Sequence, residues 1–235
     1  MKKFKYAPAG LLVLLAMILI IVTGCKKIDE PETVTDIDGN VYKTVVIGTQ
    51  TWMAENLKTT KLSDGTTIPE IKDGTSWRNS AQGAYCYYDN SYGNGSTYGL
   101  LYNWYAVSTI KLCPTGWHIP SNDEWTELTS TLGGDQVAGG KMKELGTVHW
   151  LTPNTGALNS SGFTGLPGGY RWGYSSLFGD GIFGEIGSYG YWWSSTLGGG
   201  SDPTAWILKL GYDFENADRG GSYRNGGASV RCVKD

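Results

Sequence analysis

Histidine is nearly absent. The 235-residue chain has two, His118 and His149. No H-E-x-x-H motif, paired C-x-x-C set, EF-hand spacing or G-x-S-x-G nucleophile turn occurs. An excess of base is also missing, with 19 Lys and Arg against 22 Asp and Glu. A nucleic-acid partner, which needs a basic stripe, is therefore not expected. One long apolar run stands out, Leu11 to Val22. It is shorter than the roughly 20 residues a membrane-spanning helix requires.

That run follows "MKKFKYAPAG", which holds three lysines and no acid, the order of a secretory signal peptide. It ends in "VTGC", which resembles the lipobox of bacterial lipoproteins. The resemblance implies cleavage before Cys25 and acylation of its thiol. Residues 1–24 then form the signal peptide, 25–35 a lipidated flexible tether rich in charge, and 36–235 a single domain. Cleavage removes three of the 19 basic residues and none of the 22 acidic ones, leaving a net charge of −6. Several acyl chains anchor a protein stably, at about 0.8 kcal/mol per buried methylene. The expected partner is thus the membrane, through the lipid. Lys26 after Cys25 gives no inner-membrane retention aspartate, which favours the outer membrane of the cell envelope.

What the chain has in abundance is glycine and aromatics: 35 Gly, 15 Tyr and 10 Trp. Glycine is at about twice its usual share. A loop-rich domain held by aromatic packing is expected. Residues 34–57 read as β structure, with a turn at Asp38-Gly39 and β-branched or aromatic residues from Val41 to Ile47. Residues 58–80 read as turns with a short hairpin at "SDGTTIP", 84–88 as a strand, and 89–99 as a polar glycine loop. "LLYNWYAV" leaves helix or strand open. "SNDEWTELTSTLGG" is the clearest helix. Ser121 and Glu124 have capping-box spacing, acids occupy the first turn, Trp125, Leu128 and Leu132 form a stripe, and Gly133 stops it. A second short helix is expected over Val137 to Leu145. Residues 162–200 alternate glycine with aromatics, and "TAWILKLGY" and "GASVRCVKD" read as strands.

Several stretches carry residue types associated with chemistry. "CPTGWHIPSNDEW" joins Cys113, His118, Asp123 and Glu124, but a packed, hydrogen-bonded histidine before a helix is the commoner arrangement. Gly179, Gly181 and Gly184 satisfy G-x-G-x-x-G without the flanking strand and helix a dinucleotide site needs. The acids of Tyr212–Asp218 are a conceivable Ca²⁺ site, although a solvated loop is preferred. No metal site or catalytic residue is assigned, and no cofactor is expected beyond that possible Ca²⁺. Cys86, Cys113 and Cys232 lie in a disulfide-permissive compartment, and their odd number leaves one free. The candidate ligand contacts are Tyr170, Arg171 and Trp172 in "GGYRW" and Tyr191, Trp192 and Trp193 in "YWWSST". Neighbours on a strand face opposite ways, so at most one of Trp192 and Trp193 is expected in the core.

The blocks "GTQTWMAENL", "YGLLYNWYAV", "CPTGWHIPSNDEW", "GFTGLPGGYR", "YWWSST" and "SVRCV" resemble, in order, those of the Fibrobacter succinogenes major paralogous domain. That family occurs largely in exported proteins and lipoproteins of Bacteroidota-type bacteria, without an established biochemical function. "IPSNDEW" and "RGGSYRNGGASVRCVKD" are also similar to blocks of formylglycine-generating enzymes. This second likeness implies an α+β, C-type-lectin-like fold with small antiparallel sheets, two short helices and long glycine-aromatic loops. It further implies a Cys113–Cys232 bridge and a free Cys86. The pair of reactive C-terminal cysteines required for that oxidase chemistry is missing between Arg219 and Arg231. The resulting expectation is a non-catalytic envelope lipoprotein that binds a glycan or an envelope protein through residues 162–200. Two alternatives stand beside it: a passive structural or assembly module, and a carboxylate- or metal-dependent enzyme.

Overall fold

A computed structural model describes residues 1–3, 32–173, 179–200 and 203–235. The expected signal peptide, apart from Met1 to Lys3, and the expected lipidation site Cys25 lie outside the described residues. The unit considered below is Pro31–Asp235. Its elements are β1 (Thr33–Thr35), β2 (Val41–Ile47), β3 (Gln50–Met53), α1 (Gly74–Asn79), β4 (Tyr85–Cys86), a 3-10 turn (Tyr88–Asn90), α2 (Tyr92–Tyr98), β5 (Leu101–Tyr102) and α3 (Trp104–Val107). They continue with β6 (Trp117–His118), α4 (Asn122–Thr131), α5 (Asp135–Met142), β7 (Tyr170–Arg171), β8 (Phe183–Gly184), β9 (Tyr189–Leu197), β10 (Thr204–Gly211), β11 (Asp218–Tyr223) and β12 (Val233–Lys234). Antiparallel sheet dominates, with five short α-helices among the described residues.

One sheet has the order β1-β2-β3-β12-β6, so the two ends of the domain meet in it. Val233 of β12 lies opposite Trp52 on one side and His118 on the other. The first hairpin is closed by Asp36. Its carboxylate accepts from the backbone N–H groups of Asp38 and Asn40 and from the buried Tyr42 hydroxyl at 2.6 Å. Thr33–Thr35 pair with β2; Val34 and Thr35 fall in the stretch read as β structure, and Thr33 in the stretch read as tether alone.

The second sheet, β11-β10-β9, sits between two aromatic cores. Tyr191 and Trp193 point into a core with Tyr102, Trp104 and Val230. Trp192 points into another with Trp52, Trp125, Leu128 and Phe163. Both tryptophans are fully buried, which corrects the expectation that at most one would be. The alternation holds, but both faces of the strand are covered. Each indole also has an acceptor: Trp192 Nε1 donates to Asn56 Oδ1 and Trp193 Nε1 to the Tyr102 carbonyl, both at 2.7 Å.

Loops this rich in glycine expose many carbonyls, and three buried cations gather them. Lys143 donates to the carbonyls of Thr155, Gly211 and Phe214 at 2.7–2.8 Å. Arg171 donates to those of Gly181, Ile71 and Lys72, between the rings of Trp77 and Phe183. Arg231 donates to Asn56 Oδ1 and to the Phe163 and Thr164 carbonyls. Each cation ties together segments distant in sequence while leaving few buried acceptors unsatisfied.

Local expectations fare unevenly. α4 has the full capping box: Ser121 Oγ accepts from Glu124 N, and Glu124 accepts from Ser121 N at 2.7 Å. α5 starts two residues earlier than expected and ends at Met142, because Lys143 becomes extended as its side chain turns inward. The polar loop of 89–99 contains α2, whose sequence "YGNGSTY" has poor helix formers. Its Gly95 allows the Tyr87 ring to lie directly on the helix, since a Cβ there would overlap the ring. The terminal strand shortens to two residues, preceded by isolated bridges at Ala228 and Ser229.

Candidate functional site

Five of the six aromatic and basic residues expected to contact ligand are buried: Tyr170, Arg171, Tyr191, Trp192 and Trp193. Trp172 alone reaches solvent, at 39% exposure. The side chains form a packed ladder, with ring centroids 5.0 Å apart for Trp172–Tyr170, 5.3 Å for Tyr170–Tyr191 and 6.2 Å for Tyr191–Tyr189. Tyr170 shares a hydrogen bond with Ser222, and Tyr191 donates to Glu185 Oε2. Tyr170 and Tyr191 thus spend their hydroxyls internally, and only the Trp172 end of the ladder reaches solvent.

The "CPTGWHIPSNDEW" stretch is also consumed by structure. Cys113 is bonded to Cys232. His118 bridges Asp235 through Nδ1 and Glu124 through Nε2, both at 2.6 Å. Burial works against its charged form, but the two carboxylates outweigh it and raise the imidazole pKa. With both ring nitrogens engaged, His118 has no lone pair directed at a substrate. His149 is held by Glu144 at 2.9 Å and packs edge-on against Tyr98. Cys86 is free but fully buried, and burial pushes its thiol up to about 12, with Arg171 partly opposing. Gly184 lies in β8 and the next element is β9, so no helix follows the G-x-G-x-x-G match. In Tyr212–Asp218, Asp213, Glu215 and Asp218 are exposed, and Asp218 accepts from Asn216. Among the described residues, no three His, Cys, Asp or Glu side chains group as a metal site.

The open concavity with chemistry to spare lies elsewhere. A groove of about 370 Å³ runs between the Asp38–Asn40 turn, the segment Lys58–Thr60, and α2 with Tyr87. Tyr92, at the start of α2, is 74% exposed and its ring centroid is 5.6 Å from that of half-buried Tyr87. The two rings form an apolar wall, and Asn40, Lys58, Thr60 and Ser96 line the rest, with the Asn40 amide donating to Asp36 and the Thr60 hydroxyl to Asp38. Asp38 is already satisfied: it accepts from the Thr60 backbone and hydroxyl at 2.6 and 2.8 Å and pairs with Lys61 at 2.9 Å. Burial pushes its pKa up, but these donors bring it down to about 2. By contrast the Lys58 ammonium has no partner among the described residues.

A second groove of about 390 Å³ is lined by Asn122, Asp135, Gln136, Trp206 and Arg219. Its charges are mutually paired, Arg219 with Asp135 at 2.9 Å and with Thr126. Sequence reading missed the first groove because its parts are dispersed. Tyr87 and Tyr92 flank a stretch that reads as loop, and Lys58 carries no local motif.

Fold and site together define an antiparallel-sheet domain built on aromatic cores, with a tyrosine-walled surface groove and its histidines bound into the structure. The chain belongs to the Fibrobacter succinogenes major domain family, whose model matches residues 45–234. That span starts within β2 and omits β1. No curated protein and no solved structure matches the chain.

Proposed function

We propose that this protein is a non-catalytic saccharide-binding module of the bacterial cell envelope, held at the outer membrane by acylated Cys25. The carrying observation is the Tyr87–Tyr92 wall over a groove also lined by Asn40, Thr60, Ser96 and Lys58, the last with no partner for its ammonium among the described residues. Sugar rings present C–H faces that stack on aromatic rings and hydroxyls that need both donors and acceptors, and a groove of this size suits one or two residues of a glycan. A C-type-lectin-like reading of the fold is supported by three features. α4 and α5 precede the irregular segment 143–169, β9–β11 form a separate sheet, and the Cys113–Cys232 bond ties the helical region to the last strand. In this reading recognition rests on side chains and takes no metal ion.

A glycan array probed with the full-length protein, with and without EDTA, tests the proposal. Binding that survives EDTA and falls about tenfold in Tyr92→Ala or Tyr87→Ala is expected, a loss of about 1.4 kcal/mol. Binding to no glycan, or binding indifferent to both substitutions, would sink it. The burial of five of the six candidate contacts favours a second reading, a passive structural module. An empty array with a normally folded protein would support that reading.

A further inference from the structure

We infer that the groove takes an anionic saccharide, a sugar bearing a carboxylate or sulfate, whose charge is read by Lys58; this rests on the saccharide-binding proposal above. Apart from Lys58, the buried and half-buried lysines described in this fold, and the buried Arg171 and Arg231, are met by partners. Lys143, Arg171 and Arg231 are caged by carbonyls and the Asn56 amide, Lys141 donates to the Leu132 carbonyl, Lys61 pairs with Asp38, and Lys209 lies over the Tyr189 and Phe214 rings. Lys58 is half-buried, and its ammonium is the exception among the described lysines of that burial. A cation on a groove wall without a counter-charge of its own gains from an incoming anion.

The rest of the groove agrees in sign. Its one carboxylate, Asp38, is neutralised by Lys61 and spent on Thr60. Lys58 is also shared with an adjoining cavity of about 70 Å³, into which Arg231, Glu55, Asn56 and Thr97 face. Arg231 is fully buried and all its hydrogen bonds go to neutral acceptors. Glu55 is the single acid facing that cavity, against two cations. The local balance is positive on a chain whose net charge is −3. Lysine is a compact charge with three donors and does not demand the planar geometry that arginine does. Carboxylate and sulfate therefore share this chemistry, and the ligands tested separate them.

Calorimetry on the full-length protein at low salt would compare an oligogalacturonide, its carboxyl-reduced neutral counterpart, and a sulfated oligosaccharide of similar length. At least one anionic ligand should bind about tenfold or more tightly than the neutral one, the size of a charge-assisted hydrogen bond. Which of the two does so identifies the source of the charge. Lys58→Met keeps the apolar stem and should erase the preference while leaving weak neutral binding. Lys58→Arg should restore it, which separates loss of charge from loss of fold. Equal affinity for neutral and anionic ligands, or a preference that persists in Lys58→Met, overturns the inference and leaves saccharide binding standing. Absence of binding by all three ligands overturns both.

Discussion

At the scale of single residues, the fold converts reactive groups into inert ones. Cys86 illustrates this. From sequence it is an odd cysteine in an oxidising compartment, which suggests a thiol open to reagents. In the structure it lies fully buried in a small core with Trp77, Ala84, Tyr88 and Leu101. Thiol reactivity follows the thiolate and its exposure, and burial denies both. Iodoacetamide at pH 8 should leave Cys86 unmodified in the native protein and label it completely in guanidinium, read by peptide mass. Rapid labelling under native conditions would contradict the burial. The identity of the free cysteine followed from a family likeness, whereas its inertness was not legible. Burial of a particular side chain depends on Arg171 and on segments that approach from 100 residues away.

At the scale of elements, legibility follows how local the determinants are. α4 could be read because its cap, dipole complement and apolar stripe all lie within Ser121 to Gly133. α2 could not, because its support comes from Tyr87 on Gly95 and from the Asn94 amide donating to the Tyr88 carbonyl. The α4 cap also has a second task invisible in sequence: Glu124 holds both Ser121 and His118. That coupling gives a pH dependence with a definite sign. The imidazole pKa is raised on folding, so its contribution is complete below the ordinary value near 6.5 and is lost as pH rises through the higher folded value. Burial raises the Glu124 pKa, but the Ser121 N–H, His118 and the Ser121 hydroxyl outweigh it and lower the value. Its contribution is complete above the ordinary value near 4.5 and is lost as pH falls through the lower folded one. Urea midpoints measured from pH 4 to 9 should therefore decline above about 6.5, and His118→Gln should flatten that limb without altering the acid side beyond the loss of its own partner. A wild-type profile flat across the alkaline limb would count against the clamp.

For the whole molecule, the sequence reading recovered the family, the antiparallel sheet and helices α4 and α5, but the expected two helices are five among the described residues, with α1 and α2 in stretches that read as turn and loop. Composition points to aromatics building the core, yet Tyr170–Trp172 and Tyr191–Trp193 read as candidate contacts, because one strand's alternation cannot reveal that a core covers each face. The groove that remains open is assembled from the β1–β2 turn, the segment after β3, and α2, which only tertiary structure brings together. What holds those parts is long-range, and the Cys113–Cys232 bond is its longest covalent link, spanning 119 residues. It anchors β12, a strand of two residues whose neighbourhood contributes the Cys232 carbonyl to Met53 N at 3.0 Å and the Val230 carbonyl to Leu57 N at 2.9 Å. So short a strand has little pairing energy of its own, and cross-linking a loop this long is worth about 4–5 kcal/mol in the chain-entropy model. The double substitution Cys113→Ser, Cys232→Ser should lower the unfolding free energy by a few kcal/mol and speed hydrogen exchange first at Met53 and Leu57, the amides that depend on the C-terminal segment. If both amides stay protected while the midpoint falls, the bond acts on the unfolded chain alone; if neither changes, the C-terminal strand is held by its aromatic surroundings and not by the cross-link.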